Sequence, residues 1–144
     1  MNNKKNAAIF PGTFEVFHLG HVDILKKALK LFKKVYVVVS NNPEKDPKTL
    51  DQRFLRTKIV LQQLKLANVE VVKNEGRTID IANKLECYYI IRGVRNNFDL
   101  DYEIKLYDSY KEINHNFETI LLISDYEFRK LSSTRILRSL KNEK

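Results

Sequence analysis

Val35-Tyr36-Val37-Val38-Val39 narrows what this chain can fold into more than any other stretch. A half-exposed strand alternates apolar with polar residues, whereas this β-branched run offers water no face. It reads as a strand buried on both sides, which requires helices above and below a parallel sheet. The flanking segments supply the other layers. Ala7 to Phe10, Val69 to Val72, Tyr88 to Ile91 and Phe117 to Ile123 are further runs of strand length. Helical periodicity fills the gaps: Leu19 to Lys33, a segment capped by Thr49 and running to about Leu66, and a turn over 74–78 leading into Ile79, Ala82 and Leu85. From Phe98 to about Ile113, Leu100, Ile104 and Tyr107 form one helical stripe, and a last helix starts at Ser132-Ser133-Thr134. Five alternations of strand and helix predict an α/β fold, a doubly wound five-stranded parallel sheet, with residues 1–144 forming a single domain.

Composition removes several function classes. With 43% hydrophobic and 31% charged residues the chain is globular rather than disordered. No window reaches the ~18 apolar residues of a membrane span, and the polar start Met1 to Asn6 is unlike a signal peptide. One cysteine permits no intrachain disulfide, which fits a reducing cytoplasm. The net charge of +8 raises the question of nucleic acid. Yet Lys26, Lys27, Lys30, Lys33 and Lys34 intersperse apolar Leu25, Ala28, Leu29 and Phe32, the pattern of a solvated helix face, and few aromatics accompany the basic residues. A positive field serves phosphorylated small molecules equally well.

In doubly wound sheets ligands bind beyond the carboxyl ends of the strands, where strand order reverses. The segments Gly12–His21, Ser40–Lys48, Arg92–Asn97 and Ser124–Thr134 should therefore meet at one crevice. The first holds Pro11-Gly12-Thr13-Phe14 and His18-Leu19-Gly20-His21. Gly12 suits a tight turn open to a ligand, and a helix start beyond a strand is an anion site. His18 and His21 fall on one face of the first helical turn. An ordinary helix start is the plain alternative, and a two-histidine metal site another, although His115 and Cys87 stand in no ligand cluster. Lys45, Arg92, Arg95, Ser132, Ser133 and Thr134 would supply cations and hydroxyls. The lysine also fits an ordinary surface, the arginines helix ion pairs, and the serines an N-cap. Arg92 ends an apolar strand, where a planar guanidinium fork suits phosphate.

Pro-Gly-Thr-Phe followed by His-x-Gly-His resembles the signature of the nucleotidyltransferase superfamily, and its Rossmann-like fold is what the resemblance implies. The segment Arg92-Gly93-Val94-Arg95 through Asp99, Tyr102 and Glu103 is similar to the Arg-Gly-x-Arg…Asp-x-x-Tyr-Glu segment of bacterial phosphopantetheine adenylyltransferases. Ser132-Ser133-Thr134 is similar to their closing serine-rich motif, so the likeness spans about Ala8 to Thr134. It implies transfer of the adenylyl group of ATP to 4′-phosphopantetheine, giving dephospho-coenzyme A and pyrophosphate in coenzyme A synthesis. By carry-over, Thr13, Lys45 and Arg92 act on the acceptor phosphate, and Thr78 borders the acceptor. His21 stabilises the transition state at the transferred α-phosphate. Thr13, Phe14, His21, Gly93, Val94, Arg95, Glu103, Phe128, Arg129, Lys130, Leu131, Ser132, Ser133 and Thr134 contact ATP. Magnesium (Mg2+) arrives with the triphosphate and no metal site of the protein's own is implied. The expected partners are the two substrates and further copies of the chain, a hexamer in the cytoplasm, with no nucleic acid and no membrane.

The chain departs from that family pattern in places. His18-Leu19 stands where Thr-x is usual, Glu15-Val16 replaces Asp-Pro, and Arg77-Thr78 replaces an apolar pair that packs on the pantetheine arm. Two rivals follow. A cytidylyltransferase acting on a small alcohol phosphate shares His-x-Gly-His but ends in Arg-Thr-x-Gly-Ile-Ser-Thr, against Arg129 to Thr134 here. A basic nucleic-acid-binding module on the same fold would bind in a salt-dependent way and be indifferent to His21.

Overall fold

The computed structural model describes residues 6–41 and 49–130. They form β1 (Ala7–Gly12), α1 (Leu19–Leu31), β2 (Lys34–Ser40), α2 (Leu50–Leu64), β3 (Val69–Asn74), α3 (Thr78–Leu85), β4 (Tyr89–Val94), α4 (Asn97–Ile113) and β5 (Glu118–Ile123), then a 3-10 turn at Tyr126–Phe128. The helix expected from Ser132 lies outside the described residues, as do the site candidates Lys45, Leu131, Ser132, Ser133 and Thr134.

All strands pair in parallel, in the order β3-β2-β1-β4-β5. The apolar run of β2 is covered on both faces, as its composition requires. Val35, Val37 and Val39 pack with Leu25 and Ala28 of α1 and Leu61 of α2, while Val38 joins Ile79 and Ala82 of α3 on the other face. Each such valine contributes about 1.5–3 kcal/mol of burial. Among the described residues no helix is long and apolar enough to cross a membrane.

The sheet opens at its centre. β1 pairs with β2 continuously from Ala7 opposite Lys34 to Gly12 opposite Val39, but with β4 through Ile9 opposite Ile90 alone. Pro11 has no N–H to give, and its carbonyl instead accepts from Arg92 Nη1 at 2.9 Å. This gap lies between β1 and β4, where strand order reverses, and it is where a ligand crevice belongs.

Three local expectations are corrected. Gly12 is the last residue of β1, and the left-handed residue of the turn is Phe14, with φ 47°. Glycine is needed at position 12 because a Cβ there would lie 2.8 Å from Phe14 Cζ. Thr49 makes no side-chain cap to α2, since its backbone is already helical (φ −86°, ψ −4°) and its Oγ1 accepts from Arg53 Nε at 2.9 Å. The α4 helix forms where expected, yet Leu100 and Ile104 of its stripe are exposed. Glu103 is the residue that α4 buries, turned inward by the charge of Arg92.

Candidate active site

The carboxyl ends of β1 and β4, the start of α1 and the first turns of α4 enclose a cavity of about 350 Å³. On the β1 side, His18 is the N-cap of α1, with extended backbone (φ −103°, ψ 178°). Its Nδ1 accepts the Gly20 N–H at 3.1 Å, and His21 Nδ1 accepts the His18 N–H at 3.1 Å. This reciprocal pair satisfies two of the donors a helix start leaves open, a task that usually falls to Ser or Thr and Glu or Gln. The rings stack at 3.8 Å, which leaves no room for a side chain at Gly20, whose Cβ would lie 2.9 Å from His18 Cε1.

Both rings are neutral at physiological pH. Burial, then the charge of Arg95, lowers the His18 pKa to about 4. For His21 burial is again the main cause, followed by His18 and Arg95, and together with Arg92 they outweigh a hydrogen bond to the Val16 backbone, leaving the pKa at about 3. Phe14 and Phe17 pack on the His21 ring at 5.0 and 5.2 Å and account for that burial. With Nδ1 accepting in each, the protons sit on Nε2.

The β4 side is a set of paired charges. Arg92 Nε donates to Glu103 Oε1 and Oε2 at 2.9 and 2.8 Å, and its Nη2 lies 2.8 Å from Oε1. Burial opposes the charged form of Arg92, but the hydrogen bonds and charge of the buried Glu103 prevail and push its pKa up. A guanidinium carries more N–H donors than these contacts use, so the fork is not exhausted. One turn away, Asp99 accepts from the Arg95 backbone N–H at 2.9 Å and from its Nε at 3.0 Å, and α4 is capped by Asn96 Oδ1, which accepts the Asp99 N–H at 2.9 Å.

Of the candidates read from the sequence, Thr13, Phe14, His21, Arg92, Gly93, Arg95, Glu103 and Phe128 line this one cavity. Val94 closes β4 beside it, its carbonyl accepting the Ser124 N–H. Arg129 turns to the Ser124 carbonyl and the Tyr126 ring, and neither it nor Lys130 is part of the lining. Thr78 is also apart from the lining, its hydroxyl bonded to Tyr110. Neighbouring Arg77 holds Asp80. Asp99 and Tyr102, named in the motif without a role of their own, and Ser124, at the head of a segment expected at the crevice, line the cavity as well. Arg53, fully buried behind Thr13, was missed although its spacing carried a signal: Leu50, Arg53, Thr57 and Leu61 are the buried positions of α2 and follow helical periodicity.

Comparison with known proteins finds relatives that cover most of the chain. A family model described as cytidylyltransferase-like matches residues 9–139. A phosphopantetheine adenylyltransferase of Mycoplasma capricolum subsp. capricolum is 48% identical over 136 residues, 92% of this chain and 94% of that protein. Those of Malacoplasma penetrans and Prochlorococcus marinus (strain MIT 9301) are 41% and 36% identical, covering 95% and 89% of this chain and 91% and 81% of theirs. Among solved structures, the pantoate-beta-alanine ligase of Francisella tularensis shares the fold with a TM-score of 0.61 at 15% identity, over 92% of this chain and 65% of that one. A lipopolysaccharide core biosynthesis protein of Thermoplasma volcanium does so at 0.53 and 19%, over 83% and 95%. The chain belongs to the phosphopantetheine adenylyltransferase family, within the cytidylyltransferase-like proteins.

Proposed function

We propose that this protein transfers the adenylyl group of ATP to the phosphate of 4′-phosphopantetheine, releasing pyrophosphate and forming dephospho-coenzyme A. The observation that carries the reading is the meeting of Thr13, His21, Arg92 and Arg95 around one cavity at the switch point, in a chain of this family. The attacking phosphate is already an anion, so no general base is required. The protein's task is to align that phosphate with the α-phosphate of ATP and to stabilise the charge that builds there.

In this reading Thr13, Lys45 and Arg92 hold the acceptor phosphate, and Glu103 fixes the plane of the Arg92 fork. Neutral His21 stabilises the α-phosphate as charge builds in the transition state. Bringing the triphosphate beside Arg95 and Arg92 offsets two of the charges that depress the His21 pKa, which favours proton uptake on binding. Gly93, Val94, Arg95 and the segment from Phe128 to Thr134 hold the nucleotide, and Thr78 borders the pantetheine arm. Magnesium enters on the triphosphate, whose oxygens supply its ligands. Asp99 and Glu103 are committed to arginines, and no group of three or more metal-ligating side chains occurs among the described residues. We place the enzyme in the cytoplasm, as one domain per chain assembled into hexamers. Phe98, Ile104 and Ile123, exposed at 86%, 50% and 66%, support self-association, which sedimentation measures directly.

The test is pyrophosphate release with magnesium, run with ATP and with CTP, and with 4′-phosphopantetheine and unphosphorylated pantetheine. Release with ATP and the phosphorylated acceptor alone is expected. Turnover with CTP would favour the cytidylyltransferase reading, for which His18 before Gly20-His21 is the observation. No release with the pantetheine compounds, but turnover with another phosphate, would overturn the acceptor assignment.

A further inference from the structure

Arg53 of α2 is 1% exposed, and its contacts reach three separate stretches of chain. Its Nη1 donates to the carbonyls of Thr13 at 2.5 Å and Ser40 at 2.8 Å, its Nε to Thr49 Oγ1 at 2.9 Å, and its Nη2 to Asn41 Oδ1 at 3.4 Å. The turn after β1, the end of β2 and the start of α2 are thus joined by one planar fork. Every one of these acceptors is neutral. Arg92 and Arg95 each touch a carboxylate, while Arg53 forms no ion pair among the described residues and Glu15 acts on it through its charge alone.

Burying a cation against neutral oxygens is costly, and an apolar residue would fill the same space more cheaply. What an apolar residue cannot do is grip the Thr13 carbonyl. The next residue, Phe14, is held in a left-handed conformation that a bulky side chain adopts only when its surroundings enforce it. The guanidinium also places a positive charge, answered by Glu15 without an ion pair, behind the residue that faces the incoming phosphate.

We infer that Arg53 is a positioning residue for the acceptor phosphate: through its bonds to the Thr13 and Ser40 carbonyls it holds the turn that presents Thr13, and its charge favours an anion there. The inference rests on the adenylyltransfer reading for its kinetic consequence, though not for its structural one. Lysine keeps the charge but not the fork.

The experiment compares the unsubstituted protein with Arg53→Met and Arg53→Lys by amide hydrogen exchange and by steady-state kinetics with ATP and 4′-phosphopantetheine. In Arg53→Met, exchange at residues 13–17 is expected to rise roughly tenfold beyond any rise in the β2 core. KM for 4′-phosphopantetheine should rise roughly tenfold while that for ATP moves less than about threefold, with Arg53→Lys recovering part of the KM but not the protection of the turn. Exchange that is unchanged or raised uniformly, or equal losses toward both substrates, would overturn the inference. Should Arg53→Met fail to fold, the same contrast between turn and β2 core is read in Arg53→Lys. If the unsubstituted protein does not turn over 4′-phosphopantetheine, the functional reading falls, and the exchange contrast still decides whether Arg53 holds the turn.

Discussion

Arg92 grips the end of β1 at Pro11 and Arg53 the turn that follows at Thr13, and they differ in what answers their charge. Arg92 lies against Glu103 in a bidentate pair and gives its remaining contact to Pro11. Arg53 meets carbonyls, a hydroxyl and an amide. On the β1 side of the cavity stand His18 and His21, kept uncharged by burial and, across the cavity, by Arg95 and, for His21, Arg92. The β4–α4 wall therefore supplies orientation through paired charges, although the field of Arg95 and Arg92 still reaches the histidines. Arg53, behind the β1 wall, supplies hydrogen-bonding direction to the turn through the Thr13 carbonyl. A phosphate arriving beside Thr13 meets a cation bonded only to neutral oxygens and answered by Glu15 without an ion pair, whereas at Arg92 it must share an arginine already engaged.

The strongest way to break this comparison is at His21. Its role on the β1 side is directional, so His21→Ala should lower kcat by about 10³, in the range of losing one preorganised donor to a transition state. ATP affinity should stay within about threefold, measured by equilibrium binding. Parallel losses of binding and turnover would mean that the histidine merely shapes the pocket. Glu103 tests the other wall. Glu103→Gln leaves Arg92 buried without its anion and should cost about 3 kcal/mol in urea denaturation. Asp99→Asn should cost less than about 1 kcal/mol, because the Arg95–Asp99 pair is partly solvated and the amide oxygen can still accept the Arg95 N–H. Equal losses at the two positions would erase the distinction between a buried pair and a screened one.

How far the sequence reached follows the same division. The fold was legible because a run such as Val35 to Val39 has a single physical solution, and because the segments that carry Gly12, His18, His21, Arg92 and Arg95 lie at the carboxyl ends of strands. The β4 wall was legible as composition, Arg92, Arg95 and Glu103 being marked by motif, and ion pairs to a helix were the plain alternative for the arginines; which acid answers which arginine was not legible. Nothing in Leu100, Ile104 and Tyr107 announces that α4 would leave its apolar stripe exposed and bury an acid instead. Periodicity says that residues share a face, not which layer that face meets. Phe14 defeated the expectation about Gly12 for a related reason. Glycine signals freedom, and here the freedom is spatial, room for a neighbouring ring, rather than conformational. Arg53 was hidden by its charge, because an arginine on a polar helix reads as surface unless its place on the Leu50–Leu61 face is weighed more heavily than its type.

The smallest expected effect sharpens the account of the β1 wall. His18 and His21 have pKa values of about 4 and about 3 in the folded chain, below the ordinary 6.5 that they regain on unfolding. The unfolded chain then binds more protons than the folded one below about pH 6.5, so the stabilisation is fully present above that value and drains away as pH falls toward 4 and then 3. Between pH 7 and pH 5 the loss should be about 2 kcal/mol, most of it from His21, with the half-buried His18 discounted for solvent screening. Removing the rings without removing their caps isolates this term. In His18→Asn/His21→Gln the side-chain oxygens can still accept the Gly20 and His18 N–H groups, completing an ordinary capping box at the start of α1. The double variant should fold, and its stability should change much less with pH across the same interval. A slope that survives would show that the histidines are not held neutral by burial and by the Arg95 and Arg92 charges that face them.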